Sequence, residues 1–270
     1  MSEELLALDN LAIHAGAKRL VSGLSFTLDR GERLGLIGES GSGKSLTALA
    51  ATGLLPAGLA ASGSVLLAGR QVVGAADRAL DRLRGTAVAM VFQEPLTALD
   101  PLLPVGRQIA EPLARRARRD RQPLAGAALD RAVLTLMDEV SLPDPPRLAR
   151  AYPHELSGGQ RQRIAIAMAL ACRPDLLIAD EPTTALDVTT QAEILKLLDR
   201  LVRERHMALL FISHDLPVVA NSVERVVVLR QGEAVEHGPV DRVFSRPQHA
   251  YTASLLAAAR RFDAALEAKP

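Results

Sequence analysis

The sequence predicts an α/β fold with a core of buried strands and helices, an N-terminal antiparallel β subdomain and an inserted α-helical subdomain. Three observations predict it. A glycine-rich stretch, residues 38–45, follows the apolar Leu34, Leu36 and Ile37 and precedes a helix-competent run, 46–55. A strand–helix rhythm returns late in the chain, with apolar runs at 176–179 and 208–212. Between them, residues 95–160 carry prolines and helical periodicity (Leu129, Val133, Leu136, Met137, Val140) but no convincing strand. The core is therefore assigned to 1–94 and 161–270, and the insert to 95–160, within a single domain spanning 1–270.

The elements follow in order. Residues 5–13 and 24–28 alternate loosely and read as strands, with Arg30-Gly31 as a turn. Residues 64–67 form a short strand, and the continuous apolar run 87–92 suits a buried one. Residues 113–122 hold Arg115, Arg116, Arg118, Arg119 and Arg121. With no aromatic residues interleaved for base stacking, a solvated helix face explains them better than a nucleic-acid or anionic-lipid surface. Residues 189–203 are an amphipathic helix, and 225–229 with 233–236 flank Gln231-Gly232 as a hairpin. Residues 251–265 close the chain as a helix with Leu255, Leu256 and Phe262 on one side.

Composition narrows the function classes. A length of 270 residues is ample for a core, and a net charge of +1 announces no nucleic-acid partner. The lone Cys172 excludes an internal disulfide within the chain and fits a reducing compartment. Met1-Ser2-Glu3-Glu4 lacks the basic-then-apolar order of a signal peptide. Residues 46–69 carry no charge, but Gly53, Pro56, Gly58, Ser62 and Gly63 interrupt them, so no membrane span is expected.

Three local strings carry chemistry. Gly38-Glu39-Ser40-Gly41-Ser42-Gly43-Lys44-Ser45 satisfies G-x-x-x-x-G-K-[ST] at every fixed position, in a strand–loop–helix setting. Glycines let the backbone turn so that successive N–H groups can face phosphate oxygens, and the helix start adds its positive dipole end. Lys44 then suits the β- and γ-phosphates, and Ser45 a Mg²⁺ ion; the competing reading is a plain Gly/Ser turn. At 176–181 an apolar run ends in two adjacent acids, Asp180 and Glu181. Asp180 suits a Mg²⁺ ligand and Glu181 a base for the attacking water, against the alternative that both face solvent. Finally, Leu156-Ser157-Gly158-Gly159-Gln160 opens a helix with a serine cap and two glycine amides, features of an anion site. An ordinary capped start is expected to need neither the two glycines nor the glutamine.

These strings, with Gln93, Asp187 and His214, occur in an order and spacing that resembles the ABC transporter ATP-binding subunit, a P-loop NTPase with a RecA-like core. The resemblance implies ATP and Mg²⁺ as ligands. It implies that Gln93 reaches Mg²⁺ and the water and senses a membrane subunit. Ser157, Gly158, Gly159 and Gln160 would meet the γ-phosphate held by an opposite subunit, His214 the γ-phosphate in its own site, and Asp187 the dimer seam. Two such subunits would pair head to tail around two ATP molecules. The implied location is the cytoplasmic face of the inner or plasma membrane, held by permease subunits.

Finer strings, 93–95 with 98–101, 152–155, 182–189 and Pro247-Gln248-His249-Ala250-Tyr251-Thr252, resemble the peptide, opine and nickel import branch. In that branch a second homologous ATPase and an external solute-binding protein are implied partners; Leu54-Leu55-Pro56-Ala57-Gly58 is similar to the first ATPase type. Two departures stand out. The family's adenine-stacking aromatic is replaced by Ala15, and no cysteine-bearing tail follows, so no iron–sulfur cluster is expected. A soluble ATPase acting on nucleic acid or ribosomes, or a low-turnover nucleotide-binding structural subunit, remain the other readings of the same motifs.

Overall fold

The computed structural model describes residues 3–184 and 186–267, with no account of the side chains of residues 260 and 262–267. Met1-Ser2, residue 185 of the 182–189 string and the Phe262 side chain lie outside it. The chain falls into two compact units, Met1–Leu83 with His206–Pro270, and Arg84–Arg205.

The first unit begins with β1 (Glu4–Ala15), β2 (Lys18–Asp29), β3 (Arg33–Ile37), α1 (Lys44–Thr52), β4 (Leu59–Leu67), β5 (Arg70–Gln71) and α2 (Asp77–Leu80). β1 pairs antiparallel with both β2 and β4, and β4 with β5, which is the expected N-terminal antiparallel subdomain. Alternation drives it, since Leu6, Leu8, Leu11 and Ile13 of β1 are buried while Asp9 and Asn10 are exposed. β4 starts earlier than hydropathy alone suggests. Ala60 and Ala61 pair with His14 and Ile13, so ladder hydrogen bonds extend a strand that side chains alone do not mark.

The second unit holds β6 (Val88–Val91), α3 (Pro95–Ala98), α4 (Val105–Arg119), α5 (Gly126–Glu139), α6 (Pro145–Leu148), α7 (Gly158–Leu170), β7 (Leu176–Asp180) and α8 (Val188–Glu204). β6 pairs parallel with β7, from Val88 opposite Leu176 to Val91 opposite Ala179. The stretch read as an insert is helical, and lies wholly inside this unit. On α4 the arginines pair locally: Arg115 with Glu111, and Arg116 and Arg119 with Asp120. The Arg119 hydrogen bond holds the Asp120 carboxyl below its ordinary value.

The chain then returns to the first unit through β8 (Ala208–Ser213), α9 (Leu216–Ser222), β9 (Arg225–Arg230), β10 (Glu233–Pro239), α10 (Val240–Ser245) and α11 (Ala250–Glu267). β3 is parallel to both β8 and β9, so it is flanked on each side and fully apolar between Leu34 and Ile37 except for Gly35. β9 and β10 form the expected hairpin around Gln231-Gly232. Among the described residues no helix is long and apolar enough to cross a membrane.

Candidate functional site

In the first unit, β3 delivers the chain into the glycine-rich loop and α1 receives it. Gly38, Gly41 and Gly43 have φ of 151°, 79° and 102°, a region closed to most side chains. Gly38 is further constrained by close approach: a Cβ there would lie 2.2 Å from the Leu229 carbonyl oxygen. Lys44 is buried at 4 % exposure, and its Nζ donates to the carbonyls of Gly38 and Glu39, each at 2.9 Å. A long cationic side chain is thus folded back over its own loop, its charge met by backbone oxygens.

The Ser42 hydroxyl is buried without a hydrogen-bond partner. An orphaned buried hydroxyl costs about 1–3 kcal/mol, and a phosphate oxygen would remove that cost. Gly43 stands at the N-cap of α1, with no side chain capping the helix start. The loop therefore fits an anionic phosphate, the group its motif implies. Ser45 is exposed on the first turn of α1. His214 is exposed between β8 and α9, where the neighbouring Asp215 caps the helix by accepting from Val218 N–H at 3.2 Å.

The second unit holds the acid pair and the signature. Asp180 ends β7 at 6 % exposure, an acid sunk at the end of an apolar strand. Glu181 follows with φ of 46°, unusual for a residue with a side chain, and its carboxylate accepts from Thr184 Oγ1 at 3.0 Å. Strain of this kind persists only where the surroundings enforce it, and here it turns Glu181 off the strand path.

The signature corrects one expectation. Ser157 and Gln160 form a reciprocal capping box at the start of α7, with Ser157 N–H donating to Gln160 Oε1 at 3.1 Å and Gln160 N–H to Ser157 Oγ at 3.3 Å. A Cβ on Gly159 would lie 2.6 Å from Thr190 Cγ2. An ordinary capped start thus does use this glutamine, and helix packing alone demands that glycine. Asp187 is also given a local task. It caps α8, accepting from Thr190 N–H at 3.0 Å and Thr190 Oγ1 at 2.7 Å, and these bonds hold its carboxyl below the usual range.

Exposed Gln93 lies in a cleft of about 200 Å³ with Leu96, Gly158, Arg161, Gln162 and Leu186. Gln162 is 1 % exposed and its Nε2 has no hydrogen-bond partner. Sequence reasoning passed over it; the signal was a polar side chain at a position of α7 whose neighbours Ile164 and Ala165 are apolar. Tyr251, marked in sequence only as part of the 247–252 string, has a hydroxyl that accepts from Glu39 N–H at 3.0 Å. Ala15 ends β1 opposite Lys18, and it supplies no ring for a base.

The ABC transporter family profile matches residues 21–184, more than half of the chain. The chain belongs to the ABC transporter family, and its fold is that of the family's ATP-binding cassette. Asp187 and His214 fall beyond the matched stretch. Among curated proteins it is 50 % identical over 245 residues to the glutathione import ATP-binding protein GsiA of Pectobacterium atrosepticum, covering 88 % of this chain and 38 % of that protein. It is 49 % identical over 253 residues to the peptidoglycan transport ATP-binding protein YejF of Agrobacterium fabrum, covering 92 % and 45 %. The chain thus spans less than half the length of these two relatives. Among solved structures it is similar to a dimeric post-hydrolysis state of the ATP-binding cassette MJ0796 bound to ADP and Pi, with a TM-score of 0.76, 29 % identity, and coverage of 87 % and 98 %.

Proposed function

We propose that the chain is an ATP-binding and ATP-hydrolysing subunit powering a membrane importer of di- or oligopeptides or nickel-type chelates. The observation that carries this is the loop at 38–45, with buried Lys44 and the orphaned Ser42 hydroxyl, in a chain whose relatives bear import and transport names. Those names favour transport over a soluble role on nucleic acid or ribosomes.

Each residue has a task in this reading. The amides of Gly38, Ser40, Gly41, Ser42 and Gly43 face phosphate oxygens, and Lys44 transfers donors from the carbonyls of Gly38 and Glu39 to the β- and γ-phosphates. Mg²⁺, when bound, neutralises charge on the phosphates; Ser45, Gln93 and Asp180 are the residues that would hold it. Glu181 takes the proton of the attacking water, and His214 steadies the γ-phosphate. Ser157, Gly158, Gly159 and Gln160 serve the nucleotide of a second subunit, with Asp187 at the seam. Loss of the γ-phosphate then removes charge-assisted contacts between subunits and lets the pair relax. The cleft at Gln93, with Leu96 half-exposed at 50 %, offers an apolar and polar contact for a permease on the cytoplasmic face of the membrane.

Lys44→Ala tests the core of the reading. Removing charged hydrogen bonds to phosphate should weaken fluorescent-ATP binding by more than about tenfold. Binding as tight as that of the unaltered chain would refute it.

A further inference from the structure

The loop at 38–45 is held from a side that its motif does not describe. The Gly38–Glu39 peptide has both polar ends engaged: its carbonyl accepts from Lys44 Nζ at 2.9 Å, and its N–H donates to the Tyr251 hydroxyl at 3.0 Å. A peptide unit is planar, so fixing either end orients the other. Gly38 has no side chain to anchor it and sits at φ of 151°, a glycine-permitted conformation close against the Leu229 carbonyl.

Tyr251 is itself braced. The Arg230 guanidinium lies 5.0 Å from its ring centroid, a cation–π distance, and its own N–H donates to His249 Nδ1 at 3.1 Å. The turn before it is tied to buried Glu236, whose carboxylate accepts from Gln248 N–H at 2.8 Å and His249 N–H at 3.1 Å. The end of β9, β10 and the start of α11 thus converge on one phenol hydroxyl, and that hydroxyl ends on the loop.

We propose that Tyr251 is a positioning residue for nucleotide binding, pinning the Gly38–Glu39 peptide when Lys44 turns to phosphate; this rests on the phosphate-loop reading above. Once Lys44 gives up the Gly38 carbonyl, the Tyr251 bond still fixes this peptide. A peptide left free to rotate would have to be ordered again each time phosphate binds, at a cost in affinity. Tyr251 acts through the backbone and touches no substrate.

The test compares Tyr251→Phe with Thr252→Val and Lys44→Ala, by fluorescent-ATP titration, thermal unfolding and turnover at saturating ATP. Phe keeps the ring under Arg230 and deletes only the acceptor. The expected result is an ATP Kd raised about fivefold, near 1 kcal/mol, with turnover at saturation and the unfolding midpoint unchanged. Thr252 is fully buried one residue along α11 and its hydroxyl bears on Glu236, so Thr252→Val disturbs the braced turn while keeping the Tyr251 hydroxyl, and should leave Kd unchanged. Wild-type Kd in Tyr251→Phe, while Lys44→Ala binds poorly, would overturn the Tyr251 assignment alone. Equal rises in Kd for Tyr251→Phe and Thr252→Val, tracking lost stability, would overturn it as well. No binding by the unaltered chain, or full binding by Lys44→Ala, would overturn the phosphate-loop reading and this inference together.

Discussion

Gly159 shows how much a single missing Cβ can hold in place. Thr190 cannot rotate its methyl away from a side chain at 159 without surrendering the hydroxyl that Asp187 accepts at 2.7 Å. Gly159→Ala should therefore destabilise the chain by about 1–2 kcal/mol, despite alanine's better helix propensity. Adding Thr190→Ser, which deletes the obstructing methyl and keeps the hydroxyl, should recover most of that loss. Chemical denaturation of the single and double variants decides it; no recovery in the double variant would place the strain elsewhere. At Glu181, substitution by Gln keeps the size and the hydrogen bond from Thr184 but removes the base. ATP binding should persist while turnover falls by at least about a hundredfold, and normal turnover would remove the water-activating role. The acid pair and the phosphate loop were legible because each is a continuous string whose spacing is itself the signal. The positive φ of Glu181, the unpartnered Gln162 amide and the methyl facing Gly159 were not, because each depends on where other elements pack.

At the scale of elements, α11 begins on a buried carboxylate. Burial works to raise the Glu236 carboxyl, but the N–H donors of Gln248 and His249, with the Thr252 hydroxyl, outweigh it and hold the group below its ordinary value. A carboxyl depressed in the folded state contributes stability that is fully present above its unfolded value, about 4.3. That stability is lost as pH falls through the folded value. Glu236→Ala should cost about 2 kcal/mol at neutral pH, within the range for hydrogen bonds to a charged group, and its stability should decline less on acidification than that of the unaltered chain. Thermal unfolding across an acid pH series measures both; parallel pH curves would show that Glu236 is not the titrating group. The segment 247–252 was visible in sequence only as a family-like string. Its physical reason lies in two partners outside the segment, Glu236 on β10 and Glu39, the latter 212 residues from Tyr251, and no pattern within the segment encodes such pairings. Strands were easier. β1, β3, β7 and β8 carry their burial in their own hydropathy, whereas β4 owes its first residues to the ladder with β1.

For the whole molecule, nucleotide state is expected to govern association between two copies or close relatives of this cassette. Nothing in the composition announces this, since a net charge of +1 gives no long-range field and the signature loop is locally an ordinary helix cap. The expectation comes instead from the phosphate loop with its orphaned hydroxyl in one unit and the positive-φ Glu181 beside a signature helix start in the other. The most direct measurement is the mass in solution of the Glu181→Gln variant with magnesium, determined by light scattering in the presence of ATP and then of ADP. A stable dimer with ATP and a monomer with ADP are expected; the same mass in both nucleotides would contradict nucleotide-governed pairing.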